Sequence, residues 1–120
     1  MQLYDAAKEV HEICGNGASV KLFKACLAHE LRLRGIRYRI DQLVTVHYKG
    51  FKIEQAMQLD FVIEDIIPLN LTTKQENLNW EDMHTILRFS DFPLGISLNI
   101  SETQLIDGFK KIQNPLIRKI

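Results

Sequence analysis

Apolar positions at the start of the chain recur at helical spacing. Leu3, Ala6, Ala7, Val10, Ile13 and Cys14 share one side, and Gln2, Asp5, Lys8, Glu9 and Glu12 the other, which predicts an amphipathic helix over residues 2–14. Gly15-Asn16-Gly17 ends it, because glycine and asparagine tolerate the left-handed backbone that closes a helix. Val20, Phe23, Leu27 and Leu31 then form the stripe of a second helix, flanked by Leu22, Cys26 and Leu33 and ending near Gly35. The basic residues Arg32, Arg34 and Arg37 cluster at that end, where positive charge complements the helix dipole; a phosphate-binding role is the competing reading.

From Ile36 the period changes to two. Ile36, Tyr38, Ile40, Val44, Val46 and Tyr48 read as one face of a long strand, with a bulge near Gln42. Lys49-Gly50 is a turn signal, followed by a short return strand over Phe51 to Gln55. Met57, Leu59, Phe61 and Ile63 alternate with polar neighbours in a further strand, and Glu64-Asp65 turns the chain as a solvated acidic pair. Ile67, Leu69 and Leu71 take one face of the next strand, and Asn70 and Thr72 the other. Folding about the turn brings Asn70 opposite Asp60. Pro68 lacks an N–H, so this strand is expected at an edge or locally irregular. Thr73 to Leu78 reads as loop, with Asn79 capping a helix that carries Asp82 three residues on and Met83, Ile86 and Leu87 on its apolar side. Leu94, Ile96, Leu98 and Ile100 mark a late strand, and a short one fits around Lys110 to Ile112.

The order ααββββαβ predicts an α/β (α+β in some schemes) fold, a mixed sheet with helices on both faces. The 120 residues suit a single domain over 1–120, and 46% hydrophobic with 25% charged residues is the make-up of a folded globular chain. Fifteen Lys and Arg balance fifteen Asp and Glu, so net charge lends no support to nucleic-acid binding. No apolar run approaches the ~20 residues of a membrane helix. The first residues lack the layout of a signal peptide, and Cys14 and Cys26 fall within helical patterns; the expectation is reduced, buried thiols in a cytoplasmic protein. His11, His29, His47 and His84 show no zinc-ligand spacing. Trp80, the one tryptophan, reads as a packing residue, with an exposed stacking platform as the alternative.

Five ordered segments carry a resemblance that covers nearly the whole chain: the helix ending at Gly15-Asn16-Gly17, the stretch from Leu27 to Ile36, Val46-His47-Tyr48-Lys49-Gly50, the segment from Leu59 to Asp65, and the strand from Leu94 to Ile100. Together they resemble the GxxExxY proteins of the PD-(D/E)xK nuclease-like superfamily. The resemblance implies a restriction-endonuclease-like mixed sheet flanked by helices. It also implies where an active site would lie. Counted from Gly17, the family's glutamate and tyrosine fall on Val20 and Phe23. The metal-binding aspartate matches Asp60, but the glutamate and lysine of the ExK element fall on Asn70 and Thr72, and a helical glutamine falls on or near Asp82.

Phosphodiester hydrolysis of this design needs a divalent cation held by at least two carboxylates, plus a lysine to orient the attacking water and stabilise developing charge. Asn70 offers a neutral carbonyl and Thr72 no charge, and removing even one transition-state stabiliser typically costs ~10²–10³ in rate. The expectation is therefore a noncatalytic domain with a binding, regulatory or structural role. Asp60 would be a relic metal ligand or simply a hydrogen-bond acceptor. The partner would be a protein or a second copy, with nucleic acid possible and no membrane involved, and no cofactor would be required. The competing reading is a magnesium- or manganese-dependent nuclease rearranged around Asp60, with Glu54 or Glu64 and Lys49 or Lys52 supplying the missing charges.

Overall fold

The computed structural model describes residues 2–74 and 82–116. Two helices, α1 (Gln2–Cys14) and α2 (Val20–Leu33), precede the strands β1 (Tyr38–Tyr48), β2 (Phe51–Ile63) and β3 (Ile67–Thr72). Helix α3 (Met83–Arg88), strand β4 (Leu94–Asn99), the single turn α4 (Leu105–Gly108) and strand β5 (Phe109–Gln113) complete the chain. The five strands lie in the order β1-β2-β3-β4-β5, antiparallel except for the parallel pair β3–β4. This is the mixed, helix-flanked sheet of a restriction-endonuclease-like fold.

Helices α1 and α2 cover one face. Leu3, Ala6, Val10, Phe23, Leu27 and Leu31 meet Phe61, Ile63, Leu69, Leu71, Ile96 and Leu98 in the main core. On the other face Met83, Ile86 and Leu87 of α3 pack on Val46, Met57, Leu59 and Val62 in a smaller core. Leu59 and Val62 thus belong to one face and Phe61 and Ile63 to the other. Strict alternation would separate Leu59 from Val62, so the side-chain parity of β2 slips by one at Asp60.

Several expectations are corrected. Phe51 to Gln55 and Met57 to Ile63 are one strand, because Gln55 at φ 52° is absorbed as an irregularity opposite the Val44–Val46 shift instead of breaking the ladder. Lys49 and Gly50, at φ 48° and 82°, make the predicted tight turn, with Tyr48 paired to Phe51. Ile40 and Tyr48 are exposed, so the inward face predicted for β1 holds only in part; Asp41, at φ 54°, interrupts it. Strand β3 is interior, between β2 and β4, yet Pro68 fits because the parallel ladder with β4 begins only at Leu69. Asp82 is itself the N-cap of α3, accepting from Thr85 N at 2.9 Å, where the sequence suggested Asn79. Asn79 and Trp80 lie outside the described residues.

The charged clusters also acquire partners. Arg34 pairs with Glu30 at 2.7 Å and Glu9 at 3.6 Å, tying α2 to α1. The Glu64-Asp65 turn is more than a solvated acidic pair, for Glu64 takes Arg37 at 3.1 Å and Asp65 takes Arg39 at 3.2 Å, clamping β1 to it. The two cysteines are free and partly exposed, contrary to the buried placement predicted for them.

Candidate active site around Asp60

The site forms where β2 and β3 part. Their backbone register runs through Ile63↔Ile67, Val62↔Pro68 and Phe61↔Leu69 and stops there. Beyond it side chains carry the pairing. Asp60 N donates to Asn70 Oδ1 at 2.8 Å, Asn70 Nδ2 donates to Gln58 O at 3.4 Å, and Leu71 N donates to Asp60 Oδ2 at 2.8 Å. Asp60 is 4% exposed, one of three buried polar residues among those described. A buried carboxylate requires such donors, because leaving it unsatisfied costs more than an ordinary hydrogen bond returns.

The second oxygen of Asp60 turns to α2. Lys24 Nζ lies 3.1 Å from Asp60 Oδ1, and it also bonds Asp41 Oδ1 on β1. Ile40↔Phe61 and Gln42↔Leu59 bracket Asp41 opposite Asp60, and the left-handed backbone at Asp41 sets its carboxylate at the lysine. Burial pulls the Lys24 pKa down, but the hydrogen bond that Lys24 donates to Asp41 and the charge of Asp60 outweigh it, so the net displacement is upward. Lys24 is an ammonium at neutral pH, held between two carboxylates.

The remaining positions separate into distinct roles. Val20 opens α2 and is buried, and Phe23 is fully buried in the main core. Thr72 ends β3 beside Asn99, and its carbonyl accepts from Ile100 N at 2.9 Å. Asp82 heads α3, which packs on the sheet face opposite α2, and its carboxylate is engaged in capping. The Thr85 backbone N–H holds that carboxyl below the ordinary range. The structure therefore brings Asp60 and Asn70 together, while Phe23 serves the core, Thr72 ends β3 beside β4 and Asp82 caps α3.

Glu54, Glu64, Lys49 and Lys52 are also elsewhere. Lys52 pairs with Glu54 at 3.4 Å on the hairpin, and Glu64 pairs with Arg37. Glu54 is six positions from Asp60 along the chain and Glu64 four, at most roughly 20 and 13 Å at ~3.3 Å per residue.

Sequence reasoning missed Lys24 and Asp41. Lys24 stands one turn beyond Val20 on the same stripe of α2, so the helix face expected to present the family's glutamate presents a cation instead. Asp41 falls on the polar side of the β1 alternation, next to Gln42, where the sequence reading placed only a bulge.

A divalent cation fits this arrangement poorly. Each Asp60 oxygen already accepts a hydrogen bond, Asn70 Oδ1 is taken by Asp60 N, and the Lys24 ammonium sits where like charge repels a metal. Among the described residues, no three His, Cys, Asp or Glu side chains converge in a way that would hold a metal ion. Neither the curated proteins nor the solved structures contain a significant match to the chain. The PD-(D/E)XK nuclease superfamily does match, over residues 1–112. With the helix pair, the mixed sheet and an aspartate at the parting of its second and third strands, the chain belongs to the PD-(D/E)XK nuclease superfamily.

Proposed function

We propose that this chain is a noncatalytic member of the superfamily, a degenerate relative of its GxxExxY proteins that serves as a binding, regulatory or structural domain. One observation carries the reading: Lys24 neutralises Asp60 from within the fold, with Leu71 N on the other oxygen. Each oxygen of this carboxylate already has a donor, so an external cation would have to share both with Lys24 and Leu71 N against the repulsion of the ammonium. Asn70 completes the arrangement as a neutral stitch between the strands, and Thr72 brings no charge to it. The partner in this reading is another protein or a second copy of the chain, and the protein acts in the cytoplasm without a cofactor.

A second reading draws on the same cluster. Lys24 and Asp41 bring a lysine and a second carboxylate to Asp60, so a magnesium- or manganese-dependent nuclease would use these two groups and not Glu54, Glu64, Lys49 or Lys52. Incubating the purified chain with single- and double-stranded DNA and RNA, with either metal, separates the two. The noncatalytic reading expects intact substrate at long times and high protein concentration. Metal-dependent cleavage that disappears in Asp60→Ala would sink it and establish the second.

A further inference from the structure

Cys14 closes the last turn of α1, and Cys26 lies in the middle of α2. The Gly15-Asn16-Gly17 turn folds the two helices against each other and brings both thiols to one cleft at their seam, where burial first and the neighbouring Cys26 second push the Cys14 thiol pKa up. Both side chains pack on the edge of the main core, both remain partly exposed, and both line one surface cleft of about 400 Å³ with Val10, Ile13, Ala25 and His29. Two thiols that line one cleft between packed helices and keep an open side to solvent can be reached by a small disulfide and then by each other.

We propose that Cys14 and Cys26 form a reversible disulfide by exchange with a low-molecular-weight disulfide such as oxidised glutathione. One protein thiolate attacks a sulfur of the small disulfide. A protein–sulfur bond forms, the small S–S bond breaks, and one small thiolate leaves. The second protein thiolate then attacks the protein sulfur of this mixed disulfide, and the other small thiolate leaves. The two protons given up by the cysteines end on the two small thiols, so the protein is oxidised by two electrons and the small disulfide is reduced by two.

The cross-link would tie the end of α1 to α2 two residues from Lys24, holding in place the helix that carries the cation of the Asp60 cluster. The loop it closes is short, for which chain-entropy estimates and the usual scaling with domain size give a rise in melting temperature on the order of 10 °C.

The experiment equilibrates the full chain in glutathione buffers of graded ratio, then traps free thiols with a maleimide and measures intact mass and melting temperature. The expected result is concerted loss of both maleimide sites in a monomer lighter by two hydrogens, reversed by reduced glutathione and accompanied by the higher melting temperature. Cys26→Ser is expected to stop at a mixed disulfide on Cys14 with no such rise. Independent glutathione adducts on both cysteines, cross-linked dimers, or two thiols that stay open to maleimide in the most oxidising buffer would each overturn the proposal.

Discussion

Lys24 is the residue on which most depends. Replacing it with methionine keeps much of the stem and removes the ammonium, leaving Asp60 buried with one donor fewer; the expected loss of stability is about 1–3 kcal/mol. The pH dependence has a definite sign. The folded pKa of Lys24 lies above its ordinary value of 10.5, so its contribution is fully present below that value and disappears as pH rises through the folded one. Melting curves between pH 8 and 12 are expected to show wild type well above Lys24→Met at the lower end and the two converging at the upper. A gap that persists unchanged would mean that packing, and not charge, is the contribution of Lys24. The proposed role adds a second expectation. Lys24→Ala frees carboxylate oxygens on Asp41 and Asp60, so calorimetry with manganese is expected to give weak binding in the variant and none in wild type.

At the scale of elements, caps and close contacts set the margins. Asp82→Ala removes the acceptor for Thr85 N and is expected to cost about 1 kcal/mol. The carboxyl of Asp82 titrates below its ordinary 3.8, so this contribution holds above that value and fades as pH falls through the folded pKa; urea titrations at pH 7 and pH 3 read the difference. Gly108, where α4 passes into β5, has no room for a side chain, because a Cβ would run into the backbone carbonyl of Asn99. Gly108→Ala is expected to lose roughly 1–3 kcal/mol in the same titration, since a backbone atom cannot swing aside as a side-chain tip can.

These elements also show what the sequence disclosed. Helices α1 and α2 were legible because their apolar residues recur through more than three turns, and β4 because its alternation is unbroken. Asp60 and Asn70 were found through the acidic turn that fixes their register. What stayed hidden depends on contacts far apart in sequence. Lys24, Asp41 and Asp60 come from three elements, and no local pattern marks a lysine that reaches inward. The continuity of β2 was hidden by Gln55, whose left-handed backbone a sequence reading takes as a break. Interior β3 was obscured by Pro68, harmless only because its parallel neighbour starts one residue later.

For the whole molecule, charge and shape limit what it can bind. The net charge is zero, and Arg34, Arg37 and Arg39 are already paired with acidic residues of the same chain. In gel-shift assays near physiological salt, duplex DNA is expected to remain free; a retarded complex that dissolves steeply with added salt would reveal a basic surface that outweighs this balance. Among the described residues no helix is long and apolar enough to cross a membrane. The β1–β2 hairpin reaches past the sheet, since β2 pairs with β3 only from Phe61 onward. Its outer part carries Leu43, Tyr48, Phe51 and Ile53 exposed, an apolar surface away from Asp60.

The side-chain stitch between β2 and β3 bears on how this lineage can change. A glutamate at position 70 would surrender the amide donor to Gln58 O and crowd a further negative charge against Asp60. A charge introduced at 70 alone strains a network that is now satisfied. The stitch thus makes positions 24, 60 and 70 a coupled unit: the stability cost of Asn70→Glu is expected to depend on the residue at 24, which a double-mutant cycle with Lys24→Met reads.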